Sequence, residues 1–192
     1  MTSLEFEPFF EDINENKSNH KRNKEKIKVA FELAKEKHKY QKRRMSDDPY
    51  FVHPLRTAKL LRDFDDDLII AGLLHDIVED TQTSGEEVKA MFGESIHFLV
   101  EAVTKDELTD PVQKVIEFSQ KDKRVILLKI ADRLDNMNDN IENMGIKTKS
   151  KYIKQNQQLL EFMQSIDEMY FYDKLKNLTN KLANLVGSDL SA

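Results

Sequence analysis

Apolar residues recur at three- and four-residue spacing along most of the chain, and that spacing predicts helices. Ile27, Phe31, Ala34 and His38 share one face of a first strong helix. The loop MSDDPYFVHP follows, and Pro54 suits the first turn of the next helix, which carries Leu55, Ala58 and Leu61. A third helix is expected to start near Asp66 or Asp67 and to run unbroken through LIIAGLLHDIVED. Ser84 and Glu87 have capping-box spacing, and Gly93 after Phe92 reads as a helix stop. ESIHFLVEAVT is helical, residues 105 to 112 form a polar link containing Pro111, and a short helix precedes RVILLKIADRLDNM. The last third is one long helix or a pair, with Leu159, Leu160, Met163 and Ile166, then Leu175, Leu178, Leu182 and Leu185. Strand-turn-strand patterns and internal repeats are missing. The pattern predicts an all-α bundle of about eight helices, forming one domain over residues 23 to 187. Residues 1 to 22 are expected to be a flexible N-terminal arm; Leu4, Phe6, Phe9 and Phe10 could dock, but a frayed end is the simpler reading.

Two places break the apolar pattern with charge. GLLHDIVEDT puts two leucines before His75, Asp76, Glu79 and Asp80. On a continuous helix His75 and Glu79 form one row, and Asp76 and Asp80 the next, so all four line one polar arc. Farther on, Val125, Leu128, Asp132 and Asn136 share a face. Buried carboxylates need compensation. One divalent cation would compensate several, with neutral imidazoles completing its shell. A histidine-aspartate dipeptide alone is more often a satisfied polar pair, and Asp132 beside Arg133 could be a structural salt bridge. Glu79, Asp80 and Asp132 together favour a metal. Two histidines and two aspartates suit Mn²⁺ first, with Fe²⁺, Co²⁺ or Zn²⁺ as alternatives.

Composition narrows the rest. The 192 residues contain no cysteine, which removes disulfides, thiolate nucleophiles and the usual structural zinc sites, and fits a cytoplasmic setting. Hydrophobic residues are 39% and charged residues 34%, polar but able to bury a core. The longest apolar run, Leu68 to Leu74, is too short to span a bilayer, and the N-terminus lacks a secretory pattern. Neither GxGxxG nor GxxxxGK occurs, so dinucleotide and P-loop readings fall away. A net charge of −5 argues against general nucleic-acid binding. Yet Lys21 to Arg44 holds eleven Lys/Arg against three Glu, mostly a solvated helix face, ending in a Lys42-Arg43-Arg44 cluster that could hold phosphates.

PYFVHP, LLHDIVEDT, MFG, VTK and KIADRLDNM, in this order, resemble the RelA/SpoT-type alarmone hydrolases, a branch of the HD-domain metal phosphohydrolases, over about residues 25 to 165. The resemblance implies an all-α fold and Mn²⁺ held by His53, His75, Asp76 and Asp132, with Glu79 and Asp80 handling the attacking water. It places His38, Gln41 and Arg43 beside the pocket through an HxxQxR pattern, making His38 a hydrogen-bonded core or pocket histidine. His97 then reads as an ordinary helix residue, and His20 as part of the arm. Arg43 matches an arginine that packs on the nucleotide base; Arg44 falls near phosphate; Asn136 matches a nucleotide-contacting asparagine; Lys149 weakly matches a phosphate-facing lysine. For each of Arg43, Arg44, Asn136 and Lys149 the alternative is a solvated surface side chain.

Tyr40, Asp135, Asn138 and a short segment from Lys105 to Lys123 depart from the family pattern without touching the ligands, and they bear on nucleotide identity. The long family members add synthetase and regulatory domains, so the resemblance implies a stand-alone small alarmone hydrolase. The implied reaction is hydrolysis of guanosine tetra- or pentaphosphate at the 3′-pyrophosphate, giving GDP or GTP and pyrophosphate. The alternatives are phosphate removal from another nucleotide such as NADPH, or nucleotide sensing without turnover. The expected partner is the guanine nucleotide substrate, with no nucleic acid and no membrane; a homo-oligomer is compatible with the sequence.

Overall fold

The computed structural model describes residues 4–15, 22–44, 47–106 and 108–189. Among them there is no strand, only an isolated antiparallel bridge between Lys42 and Pro49. The fold is all-α, as expected, and the described residues form eleven helices, somewhat more than the eight or so expected. The chain divides into two compact units, Met1–Leu108 and Thr109–Ala192.

The first unit holds α1 (Phe6–Asn14), α2 (Lys24–Lys37), α3 (Val52–Leu60), α4 (Asp66–Leu74), α5 (Ile77–Asp80), α6 (Gly85–Phe92) and α7 (Glu94–Val103). Its centre is α4, on which every residue from Leu68 to Leu74 is buried. A helix apolar on all sides must be surrounded, and α2, α3 and α7 pack around this one. Asp65 caps it by accepting from the Leu68 amide at 2.9 Å. Gly72 lets α3 approach: a Cβ there would lie 3.0 Å from the Ala58 Cα. The Ser84–Glu87 capping box forms, and Gly93 ends α6 at a φ of 90°.

Part of the segment expected as a flexible arm is helical. On α1, Phe6, Phe9 and Ile13 are buried. Phe9 packs on Phe31 at 5.4 Å between ring centroids, and Phe31 meets Phe51 edge-on at 5.0 Å. Apolar burial of these rings outweighs fraying. Arg22, also assigned to the arm, is buried, with Nη1 donating to Phe64 O at 2.6 Å and pairing with Asp66 at 3.0 Å. His20 lies outside the described residues.

The second unit holds α8 (Pro111–Ser119), α9 (Arg124–Asn140), α10 (Ile146–Ser165) and α11 (Tyr172–Asp189). Asp110 caps α8, with Pro111 opening its first turn. The last third is a helix pair, and α10 and α11 pack on each other. Between them Asp167 takes a left-handed φ of 54°. Among the described residues, no helix is long and apolar enough to cross a membrane.

Candidate metal centre

His53 lies in the first turn of α3, positioned by a turn in which its amide donates to Tyr50 O at 2.9 Å. His75 caps the C-terminus of α4, and Asp76 opens α5. The continuous helix expected through LIIAGLLHDIVED is therefore broken at the two residues that matter. Asp76 sits at φ −98° and ψ −1°, and the regular ladder stops. On a straight helix adjacent side chains diverge by about 100°. The break lets neighbours converge: His75 Nε2 is 3.1 Å from Asp76 Oδ2. His53 Nε2 is 3.1 Å from His75 Nε2 and 3.5 Å from the same Asp76 oxygen.

The donor set fits a cation. The His75 Nδ1 lies 2.8 Å from Gly72 O, a pure acceptor, so Nδ1 carries the proton. A neutral His75 then turns a bare Nε2 lone pair toward His53 and Asp76. Two buried imidazole nitrogens and a half-buried carboxylate oxygen face one point, all within 4.8 Å of one another. A positive ion relieves that crowding of electron pairs, and His53, His75 and Asp76 are the residues that could hold it.

The broken helix also changes the single polar arc expected from the spacing. Glu79 and Asp80 are exposed, so solvent already compensates their charge. Glu79 pairs with Lys105 Nζ and accepts from the Lys105 amide at 3.2 Å. Asp80 Oδ2 lies 2.8 Å from Tyr50 Oη, which also meets Asp76 Oδ2 at 2.6 Å. Burial, then the Asp76 charge, holds the Tyr50 phenol far above its ordinary range, so it is a hydroxyl donor at any working pH.

A shell of side chains fixes Tyr50. His38, fully buried, stacks on its ring at 5.0 Å, and the Arg43 guanidinium lies 5.7 Å from the ring centroid. The His38 Nδ1 lies 2.6 Å from Gln41 Oε1, while Gln41 Nε2 donates to Asp80 O at 2.6 Å. Burial depresses the His38 pKa more than Gln41 and the nearby carboxylates raise it. Arg43 is buried and Arg44 exposed.

The remaining candidates lie in the second unit. On α9, Asp132 is buried, accepting from Lys129 Nζ at 2.8 Å and from Asn136 Nδ2 at 2.5 Å. The Arg133 guanidinium, considered as a partner for Asp132, reaches Asn156 Oδ1 at 3.1 Å and Gln155 Oε1 at 3.0 Å. Lys149 is 3% exposed, so the solvated alternative does not hold for it. Tyr50 and Lys105 were not singled out in the sequence as site residues, although each stands in a quoted motif, PYFVHP and VTK.

The HD domain family model matches residues 30–160. The chain is 45% identical over 136 residues to a guanosine-3′,5′-bis(diphosphate) 3′-pyrophosphohydrolase of Aquifex aeolicus, covering 66% of this chain and 19% of that protein. It is 43% identical over 120 residues to a probable enzyme of the same name from Synechocystis, covering 56% of this chain and 16% of the relative. The chain thus spans less than a fifth of the length of these curated relatives. A solved structure described as a metazoan ortholog of SpoT that hydrolyzes ppGpp aligns with a TM-score of 0.71 at 26% identity, covering 85% of this chain and 97% of that one. With the family pattern running through more than half of its length, the chain belongs to the HD domain family.

Proposed function

We propose that this protein is a Mn²⁺-dependent hydrolase that cleaves guanosine 3′,5′-bis(diphosphate), or its pentaphosphate, at the 3′-pyrophosphate. The products are GDP or GTP and pyrophosphate. The observation that carries this reading is the convergence of His53, His75 and Asp76, with Asp80 held beside them through Tyr50. The activity named for the Aquifex relative and for the metazoan protein supports this choice of substrate.

A divalent ion in this site acidifies water and draws charge from phosphoryl oxygens. Asp80 accepts or relays the proton of the attacking water. Glu79 works with it, oriented by Lys105. Arg43 offers a planar guanidinium for the base, beside the Tyr50 ring. Arg44, exposed in a chain of net charge −5, attracts the anionic substrate. Asp132 as a fourth ligand, Asn136 as a nucleotide contact and Lys149 as a phosphate contact rest on the motif resemblance.

The test is turnover of guanosine tetraphosphate with and without Mn²⁺, products separated by chromatography. GDP and pyrophosphate are expected, and Asp76→Ala should abolish both while leaving the helical content unchanged. Release of inorganic phosphate from NADPH instead would reassign the substrate. Tight nucleotide binding without turnover in Mn²⁺ would make the protein a sensor.

A further inference from the structure

One oxygen of the candidate centre is shared. Asp76 Oδ2 faces His75 Nε2 at 3.1 Å and His53 Nε2 at 3.5 Å, and it is also the oxygen 2.6 Å from Tyr50 Oη. That separation is typical of a hydroxyl donating to a charged carboxylate. The same Oη lies 2.8 Å from Asp80 Oδ2. A phenol has one proton, so it can serve one carboxylate fully at a time. The ring cannot swing to choose between them: it stacks on His38 and stands edge-on to His53 at 6.0 Å. Only the hydroxyl rotor is free.

We propose that Tyr50 is a positioning residue that links the ligand Asp76 to Asp80 through this single proton, donating to Asp76 in the metal-free protein and to Asp80 once a cation is bound by Asp76. The inference rests on the metal-centre reading above and deepens it. A cation draws electron density from Asp76 Oδ2 and weakens it as an acceptor. The hydroxyl then turns to Asp80, whose oxygen stays fully charged. Asp80 is exposed, and a full hydrogen bond from Tyr50 fixes the direction of its carboxylate when the site is loaded. Tyr50 thereby connects metal occupancy to the readiness of the group that handles water.

The coupling is measurable without turnover. Mn²⁺ affinity is measured by titration calorimetry for the wild type, Tyr50→Phe, Asp80→Ala and the double variant, each first checked for a cooperative thermal transition. Removing the Asp80 acceptor leaves the hydroxyl on Asp76, where it opposes the cation. Asp80→Ala should therefore weaken Mn²⁺ binding by about tenfold more with Tyr50 present than in the Tyr50→Phe background, a coupling within the range for residues in contact. The loss of the Asp80 charge is common to both backgrounds and cancels. Effects that multiply within about twofold would overturn the link.

A second comparison keeps Tyr50 intact. Asp80→Asn retains an acceptor oxygen without charge, so it should bind Mn²⁺ more tightly than Asp80→Ala; equal affinities count against the proposal. With nucleotide, Tyr50→Phe should lower kcat at least about tenfold with KM little changed, because an interaction serving the reacting state is lost. If the wild type turns over no nucleotide, the proposed activity fails while the affinity cycle still decides the role of Tyr50.

Discussion

His53 Nε2 and His75 Nε2 stand 3.1 Å apart although 22 positions separate them in the chain. Such a pair has little value without a cation, so Mn²⁺ should bind the folded chain and stabilise it. At a hundredfold excess over Kd the gain is about 2.7 kcal/mol. For a protein of this size that is roughly 5–10 °C in Tm. Thermal melts with and without Mn²⁺ should show the shift in the wild type. His75→Ala should show none, and a full shift in that variant would remove His75 from the site.

A pH effect follows from His38. Burial holds its pKa below the unperturbed value, so the folded chain leaves it neutral where the unfolded chain would protonate it. Its contribution is fully present above about pH 6.5, where neither state is protonated. Stability then falls as pH drops below that value, by at most about 1.4 kcal/mol per pH unit for one proton, until His38 itself protonates in the folded state. Urea midpoints from pH 7.5 to 5 should fall more steeply for the wild type than for His38→Gln. Identical slopes would mean that His38 titrates alike in both states.

How far this was legible depends on the range of the interactions. The Ser84–Glu87 box and the Gly93 stop are local, and both stand where the spacing puts them. His75 and Asp76 are conspicuous as polar groups at the end of an apolar run, whereas His53 enters as a ligand only through the family resemblance. The break between His75 and Asp76 was not, since 3.6-residue periodicity runs through LIIAGLLHDIVED without interruption. Tyr50 carries no local signal, because its partners Asp76 and Asp80 lie 26 and 30 residues away. The α1 helix read as an arm because its burial depends on Phe31 and Phe51, far along the chain.

That aromatic cluster can be tested. Phe9 is fully buried beside Phe31. Phe9→Ala should cost about 3 kcal/mol, near the low end for a core phenylalanine because α1 can shift to fill the space. Chemical denaturation measures it. A loss below about 0.5 kcal/mol, within the range of surface substitutions, would return the segment to the status of a loose arm.

In the second unit, Asn156 ties three elements of a buried network. It accepts from Arg133 Nη1, and its Nδ2 donates to Thr179 Oγ1 at 2.9 Å. Thr179 in turn donates to Leu175 O at 2.7 Å. Asn156→Ala removes an acceptor from a buried guanidinium, which costs about 1–3 kcal/mol. Asn156→Leu should be no better, since added apolar volume cannot satisfy Arg133. A neutral result for Asn156→Leu by urea melt would show that Arg133 has adequate partners without it.

Gly72 joins packing to chemistry. Its missing side chain admits the α3 backbone at Ala58, and its carbonyl fixes the His75 tautomer at 2.8 Å. A methyl group there would meet the Ala58 Cα and the Leu61 Cδ1, each at 3.0 Å, and one of those contacts is backbone that cannot turn aside. Gly72→Ala should therefore destabilise by about 1–3 kcal/mol despite the better helix propensity of alanine. Because α3 carries His53 and α4 leads into His75, the same displacement separates the two imidazoles. Mn²⁺ affinity should fall together with stability, a joint loss that the surface change Glu86→Ala would not produce. Stability lost with metal affinity intact would show that the helices can part without moving the site.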